Sequence, residues 1–201
     1  MRQETGKTNP PASHDEVSIR LWSDGHSFPE LPVAIGPLRV VVLGRKCTLV
    51  PAEVFREEEA VRYLELCGLA CSASECVVRS PERNGRVAVM AIERSVRERL
   101  PVGATFFSPL QDAEEPQQTV RMERYGHLLY IKVYAPTLRF AEAVRCDTDA
   151  DVLYYVGRLA REFPLDRLTL SLKEGEEKGA GAGCAKLRKL LKAQFLRAVC
   201  E

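Results

Sequence analysis

Apolar and polar positions alternate over residues 17–22, where Val17, Ile19 and Leu21 interleave with Ser18, Arg20 and Trp22. This period of two predicts a half-buried strand. Asp24-Gly25 predicts the turn that ends it, because a type I′ hairpin needs positive φ at both central residues, and a second strand is expected from His26-Ser27-Phe28. The Val40-Val41-Val42 run makes 38–43 a third strand, buried on both faces, while Pro29, Pro32 and Pro37 make the link before it irregular. A short strand follows at 47–50. Pro51 then opens a helical stretch with Ala60, Val61, Leu64 and Cys67 on one face and Gly68 placed to cap it. Beyond it, 87–92 reads as a strand, 93–100 as a short helix stopped by Pro101, and 104–107 as a closing strand.

The same order then recurs. Residues 119–125, 127–134 and 138–145 predict a three-strand meander turned at Gly126 and at Ala135-Pro136-Thr137, with Leu129, Ile131 and Val133 set against Tyr130, Lys132 and Tyr134. Thr148 and Asp151 form a capping-box variant. Val152, Tyr155, Val156, Leu159, Ala160 and Phe163 keep helical spacing until Pro164. A strand at 168–172, a glycine-rich loop at 175–183 and a last helix at 185–199 complete the pattern. A strand-strand-strand-helix-strand order read twice is an α/β protein of two stacked lobes, 17–110 and an abbreviated 119–201. Residues 111–118 are the acidic, glutamine-containing connector and 1–16 a disordered polar arm. The chain is expected to stop short of a full final strand, leaving an edge for a partner or a second copy of itself.

Composition narrows the setting. The 201 residues are 45% hydrophobic and carry a formal charge of +1, so no long-range field draws in nucleic acid or an anionic membrane. No apolar run approaches the ~18 residues of a membrane span, and the first residues lack a signal-peptide core. The expected location is the cytoplasm. Seven cysteines there are expected to be free thiols. Cys67, Cys71 and Cys76 lack the second downstream pair that a zinc site needs, so no metal ligand is assigned.

Three segments, 18–28 from Ser18-Ile19-Arg20-Leu21-Trp22 through Asp24-Gly25 to Phe28, Thr48-Leu49-Val50-Pro51-Ala52-Glu53-Val54-Phe55, and Asp151-Val152-Leu153-Tyr154-Tyr155, resemble in order an uncharacterised bacterial family, a domain of unknown function, with an actin-like ATPase fold. Leu165-Asp166 before the next strand also fits. The resemblance implies two ribonuclease-H-like lobes facing a cleft. The chain departs from that pattern at Phe140-Ala141-Glu142-Ala143, where an Asn-containing strand is expected, and in a connector too short for an interlobe helix.

Two stretches are candidate nucleotide contacts. Active actin-like ATPases carry an Asp-x-Gly hairpin in each lobe, because backbone amides approach the phosphates and a carboxylate organises magnesium-bound water. Here Asp24, Gly25 and Ser27 match in part, and Tyr125-Gly126-His127 has no acid. Gly179, Gly181 and Gly183 precede a helix whose free N–H groups would receive an anion, but no Walker loop is formed because Lys186 follows alanine. The plainer readings are a hairpin turn and a flexible linker. The basic face of the last helix, Lys186, Arg188, Lys189, Lys192 and Arg197, reads as solvated, with a partner groove as the other reading. No Gly-x-Ser-x-Gly elbow and no acid on the first strand before Asp24 are present, so no catalytic residue is assigned. The sequence reads as a nonenzymatic scaffold that binds another protein. The alternative is a nucleotide-binding or weak ATPase using ATP and magnesium.

Overall fold

The computed structural model describes residues 17–23, 37–175 and 180–201. Strands β1 (Val17–Trp22), β2 (Leu38–Leu43) and β6 (Thr105–Phe107) form one sheet in the order β1-β2-β6. β3 (Cys47–Pro51), β4 (Glu75–Arg79) and β5 (Arg86–Glu93) form a second, antiparallel sheet in the order β3-β5-β4. Helix α1 (Ala60–Leu66) buries Leu64 against Val50, Val89 and Ala91 of that sheet, and Gly68 ends it with φ +70°, a conformation glycine adopts without Cβ strain. Helix α2 (Arg94–Arg99) follows β5 directly and buries Val96.

The second half is one five-stranded sheet in the order β11-β10-β7-β8-β9. It contains the meander β7 (Thr119–Tyr125), β8 (Leu128–Tyr134) and β9 (Leu138–Arg145), then β10 (Thr169–Glu174) and β11 (Arg197–Cys200). β10 runs parallel to both β7 and β11. Helices α3 (Asp149–Glu162) and α4 (Ala180–Leu191) cover one face, where Val156, Leu159, Leu187 and Leu191 meet Ile131, Val133 and Leu170. The expected capping box is present: Thr148 accepts from the Asp151 N–H and Asp151 from the Thr148 N–H.

The opposite face of this sheet faces the first half. Tyr125, Tyr130 and Ala143 are buried in the same apolar cluster as Leu21, Val40, Met90 and Phe106. The Tyr130 hydroxyl accepts from the Gly44 N–H at 2.8 Å and donates to the Gly44 carbonyl at 3.2 Å, a link between residues 86 apart in sequence. β8 is therefore not half-buried: Tyr130 and Lys132 are 0% exposed and Tyr134 1%. The alternation of aliphatic with amphipathic residues is real, but its second face meets protein instead of water. Tyr130→Phe strands a buried N–H and is expected to cost about 1–3 kcal/mol of unfolding free energy in urea titration. A loss too small to measure would show that the link does not hold the halves together.

Several expectations are corrected. β1 pairs in parallel with 38–43, from Val17↔Leu38 to Trp22↔Leu43, and β2 alternates in burial, with Val41 half-buried, instead of being buried on both faces. The hairpin at Asp24-Gly25 and the strand from His26 lie outside the described residues. β4 was not anticipated, because Glu75-Cys76-Val77-Val78-Arg79 offers only a short apolar core between charged ends. The stretch read as a glycine-rich loop is helical from Ala180, and the last helix ends at Leu191. Residues 197–200 are a strand, since Ala198 packs on the apolar cluster and the backbone pairs with Thr169–Leu172. The sheet thus has a strand beyond β10 where the chain was expected to stop short, and β11 is now its edge. The cysteines are not all free: Cys184 and Cys200 form a disulfide joining α4 to β11. Compartment arguments from sequence cannot see that the fold brings these two together.

Candidate functional site

Where the two halves meet, residues from β1, β2, β6, β7 and β10 surround a cavity of about 230 Å³. Its floor is a polar cluster built on Lys132. The face of β8 that carries Tyr130 and Tyr134 also carries Lys132, whose ammonium donates to Pro109 O at 2.6 Å, Asp112 Oδ1 at 2.8 Å and Glu123 Oε1 at 2.6 Å. Three N–H donors thus meet three acceptors, which is what lets a charge be buried. Asp112 comes from the connector and Glu123 from β7.

The acids are further occupied. Tyr134 donates to Asp112 Oδ2 at 2.5 Å and Tyr125 to Glu123 Oε2 at 3.0 Å. Arg121 stands directly across from Lys132 in the β7–β8 register, a like-charge pair that would repel, and Asp112 Oδ1 bridges it by taking Arg121 Nη1 at 2.9 Å as well. Glu201 Oε1 lies 3.6 Å from Arg121 Nη2 and accepts from Ser171 Oγ at 2.6 Å. Burial alone would lower the Arg121 pKa, yet Asp112, then Glu201 and Glu123, raise it, so the guanidinium is permanently charged. Burial, and next the bond to Asp112, push the Tyr134 phenol up, keeping it a donor.

The first half contributes Arg20, Arg39 and Arg83 to the cavity. Arg39 and Arg83 stack on the Phe107 ring at 4.1 and 4.3 Å from its centroid, and Arg20 lies 5.6 Å from that of Tyr125. Below β2, Cys47 Sγ lies 3.0 Å from Ser108 Oγ, and burial raises its pKa to about 12 despite that bond, so it stays an unreactive thiol.

Of the candidate nucleotide contacts, Asp24, Gly25, Ser27 and Gly179 lie outside the described residues. Gly181 and Gly183 sit in the first turn of α4, on the sheet face opposite the cavity. There Glu174 already occupies the position an anion would take: its Oε2 accepts from the Cys184 N–H at 2.9 Å, and Arg124 grips its other oxygen. A Cβ at Gly183 would come within 2.7 Å of Glu174 Oε1, so the glycine admits a carboxylate of the chain itself. Asp149 links Arg124 at 3.0 Å to Lys186 at 2.8 Å, which ties part of the basic face of α4 back to α3. Hydrogen bonding from Lys186 foremost holds the Asp149 carboxyl below its ordinary range.

A second, larger groove of about 710 Å³ lies between α1, β4 and β6, lined by Val61, Val77, Val102 and Phe106, with Glu57 and Arg79 paired at its side at 3.0 Å. No group of three or more His, Cys, Asp or Glu able to hold a metal occurs among the described residues. None of their helices is long and apolar enough to cross a membrane.

Sequence reasoning missed Lys132, Asp112, Glu123, Arg39 and Arg121. The available signal was a lysine between two tyrosines on one strand face, with an acid and an arginine on the neighbouring strand.

The chain is similar in structure to a protein of actin-like ATPase fold and unknown function from Bacteroides thetaiotaomicron, with a TM-score of 0.64 and 20% identity over 82% of this chain and 68% of that one. It thus shares the mixed α/β actin-like ATPase fold. A weaker likeness joins it to the cytoplasmic domain of EpsL, an inner membrane component of the type II secretion system of Vibrio cholerae, with a TM-score of 0.37 and 10% identity over 69% of this chain and 62% of that one. No family model matches the chain, and no curated protein matches its sequence.

Proposed function

We propose that this chain is a nonenzymatic actin-like-fold scaffold that binds another protein. In this reading residues 17–110 and 119–201 are two ribonuclease-H-like lobes joined through 111–118, and their facing surfaces have become an interior. The observation that carries it is the apolar cluster shared between the halves, in which Tyr125, Tyr130 and Ala143 are buried with Leu21, Val40 and Phe106. A nucleotide-driven cycle needs lobes that open about a hinge, and a shared close-packed core resists that motion. Asp112 and Glu123, the acids at the floor of the cavity among the described residues, are engaged by Lys132, Arg121 and two tyrosines. Val102 and Val61, 94% and 46% exposed on the larger groove, supply apolar surface of the kind a protein partner covers.

The test is thermal unfolding with and without millimolar magnesium-ATP. No shift is expected. A ligand at one hundred times its dissociation constant would add about 2.7 kcal/mol, so a clear rise that Asp24→Ala abolishes would replace the scaffold with a nucleotide-binding protein.

A further inference from the structure

We infer that the outer face of α3 and α4 docks on an anionic lipid surface, where Lys189 and Lys192 meet headgroups and Leu190 and Leu196 enter the acyl boundary. α3 leads from β9 to β10 and α4 from β10 to β11, and these three strands are parallel, so the helices lie side by side on the sheet and run the same way. Asp149 and Lys186, 2.8 Å apart, set their level. One turn further along the same flanks come Leu153 and Leu190, 37% and 48% exposed, and beside Leu153 stands Tyr154, 61% exposed. Leu196, between α4 and β11, is 70% exposed.

Leu187 and Leu191 are buried against the sheet, so Lys189, two positions from each, points away from it. Arg188, Lys192 and Arg197 are exposed near it, as are Arg158 and Arg161 on α3, and none of these cations forms an ion pair among the described residues. Residues 180–200 contain no acid, and Glu162 and Asp166 are exposed at the end of α3 and just after it. The formal charge of +1 hides this face, because it averages over a one-sided distribution. The pattern selects lipid over protein. The core of a protein interface is apolar and poor in lysine, whereas here the leucines stand singly among lysines and arginines. A lipid surface accepts that arrangement: single apolar side chains enter the acyl boundary, cations extend along their stems to the headgroups, and tyrosine sits at headgroup level. The inference goes beyond the scaffold reading, since it places the folded chain on a surface and involves neither the cavity nor the larger groove.

The experiment is co-sedimentation of the full chain with vesicles of phosphatidylcholine containing about 30% phosphatidylserine, beside vesicles of phosphatidylcholine alone and soluble polyglutamate. Binding to the anionic vesicles that falls as salt is raised is expected, with none to phosphatidylcholine alone. Lys189→Gln with Lys192→Gln should weaken it about thirty-fold, roughly five-fold for each cation near the surface. Leu190→Ser with Leu196→Ser should weaken it about ten-fold. All four side chains are exposed, so both variants should melt with the parent. Arg56→Gln with Arg62→Gln removes the same charge from exposed sites before and within α1 and should bind as the parent does. No binding to the anionic vesicles overturns the inference. Equal weakening by the Arg56 and Arg62 changes also overturns it, since net charge and not this face would then decide, and so do leucine changes that leave binding intact. Binding to polyglutamate and not to vesicles, weakened by the two lysine changes, gives the face to an acidic protein instead. The magnesium-ATP melt tests the scaffold reading separately from all of these.

Discussion

Lys132→Met is expected to lower the unfolding free energy by about 3–5 kcal/mol, the cost of breaking a buried ion pair from one side. Methionine matches the stem of lysine and adds no cavity. What it leaves is Glu123, 7% exposed, with Tyr125 as its remaining hydrogen-bond partner among the described residues and Lys173 Nζ at 4.0 Å, and Pro109 O without its donor. Asp112 suffers less, because Arg121 and Tyr134 still reach it. Adding Glu123→Gln to Lys132→Met should therefore recover part of the loss, since a neutral amide costs less to bury than an orphaned carboxylate. Urea unfolding of the parent, single and double variants measures both effects. A single-variant loss below about 1 kcal/mol would place the cluster in water and remove it as the floor of the cavity.

Reducing the Cys184–Cys200 bridge, or replacing both cysteines with serine, should cost about 3 kcal/mol and lower the melting temperature by roughly 6–12 °C. The bridge joins cysteines 16 positions apart in sequence. It fastens β11, an edge strand paired with its sheet through β10 alone among the described residues, to the helix that covers that sheet. Melting curves with and without reductant, with thiol counting under denaturing conditions, give the result directly. Identical curves and seven reactive thiols in the unreduced protein would show that the pair stays reduced, as the sequence led one to expect.

The elements that announce themselves in the sequence are those whose cause is local. The capping box at Thr148 and Asp151 and the helical spacing up to Phe163 place α3 almost to the residue, because both signals act within a turn or two. The meander β7–β9 is legible for the same reason. What local signals cannot convey is the identity of the neighbour. The period of two in β8 looks the same whether its second face meets solvent or another sheet, so Lys132 reads as a surface residue until the first half is placed against it. The glycines from 179 to 183 read as a linker on intrinsic propensity, yet Gly183 is small because Glu174, nine residues earlier, leans into the helix start. Arg197–Cys200 escaped notice because its strand character comes from pairing with β10. The candidate cavity was least legible, since its lining is drawn from both halves and the connector.

A strand buried on both faces has an alignment problem that a half-buried strand does not. Sliding β8 by one residue exchanges its two faces, and apolar side chains alone discriminate weakly when both sides exclude water. Lys132 removes the ambiguity. In the observed register its ammonium finds Pro109, Asp112 and Glu123, whereas one step along it would enter the layer of Val120, Met122 and Val152 with nothing to receive it. An unpaired charge there costs several kcal/mol, far more than a misplaced methyl group. The lysine thus works as a key with one lock: it rejects shifted pairings of β8, and so keeps Tyr130 on the face that meets Gly44 of the first half.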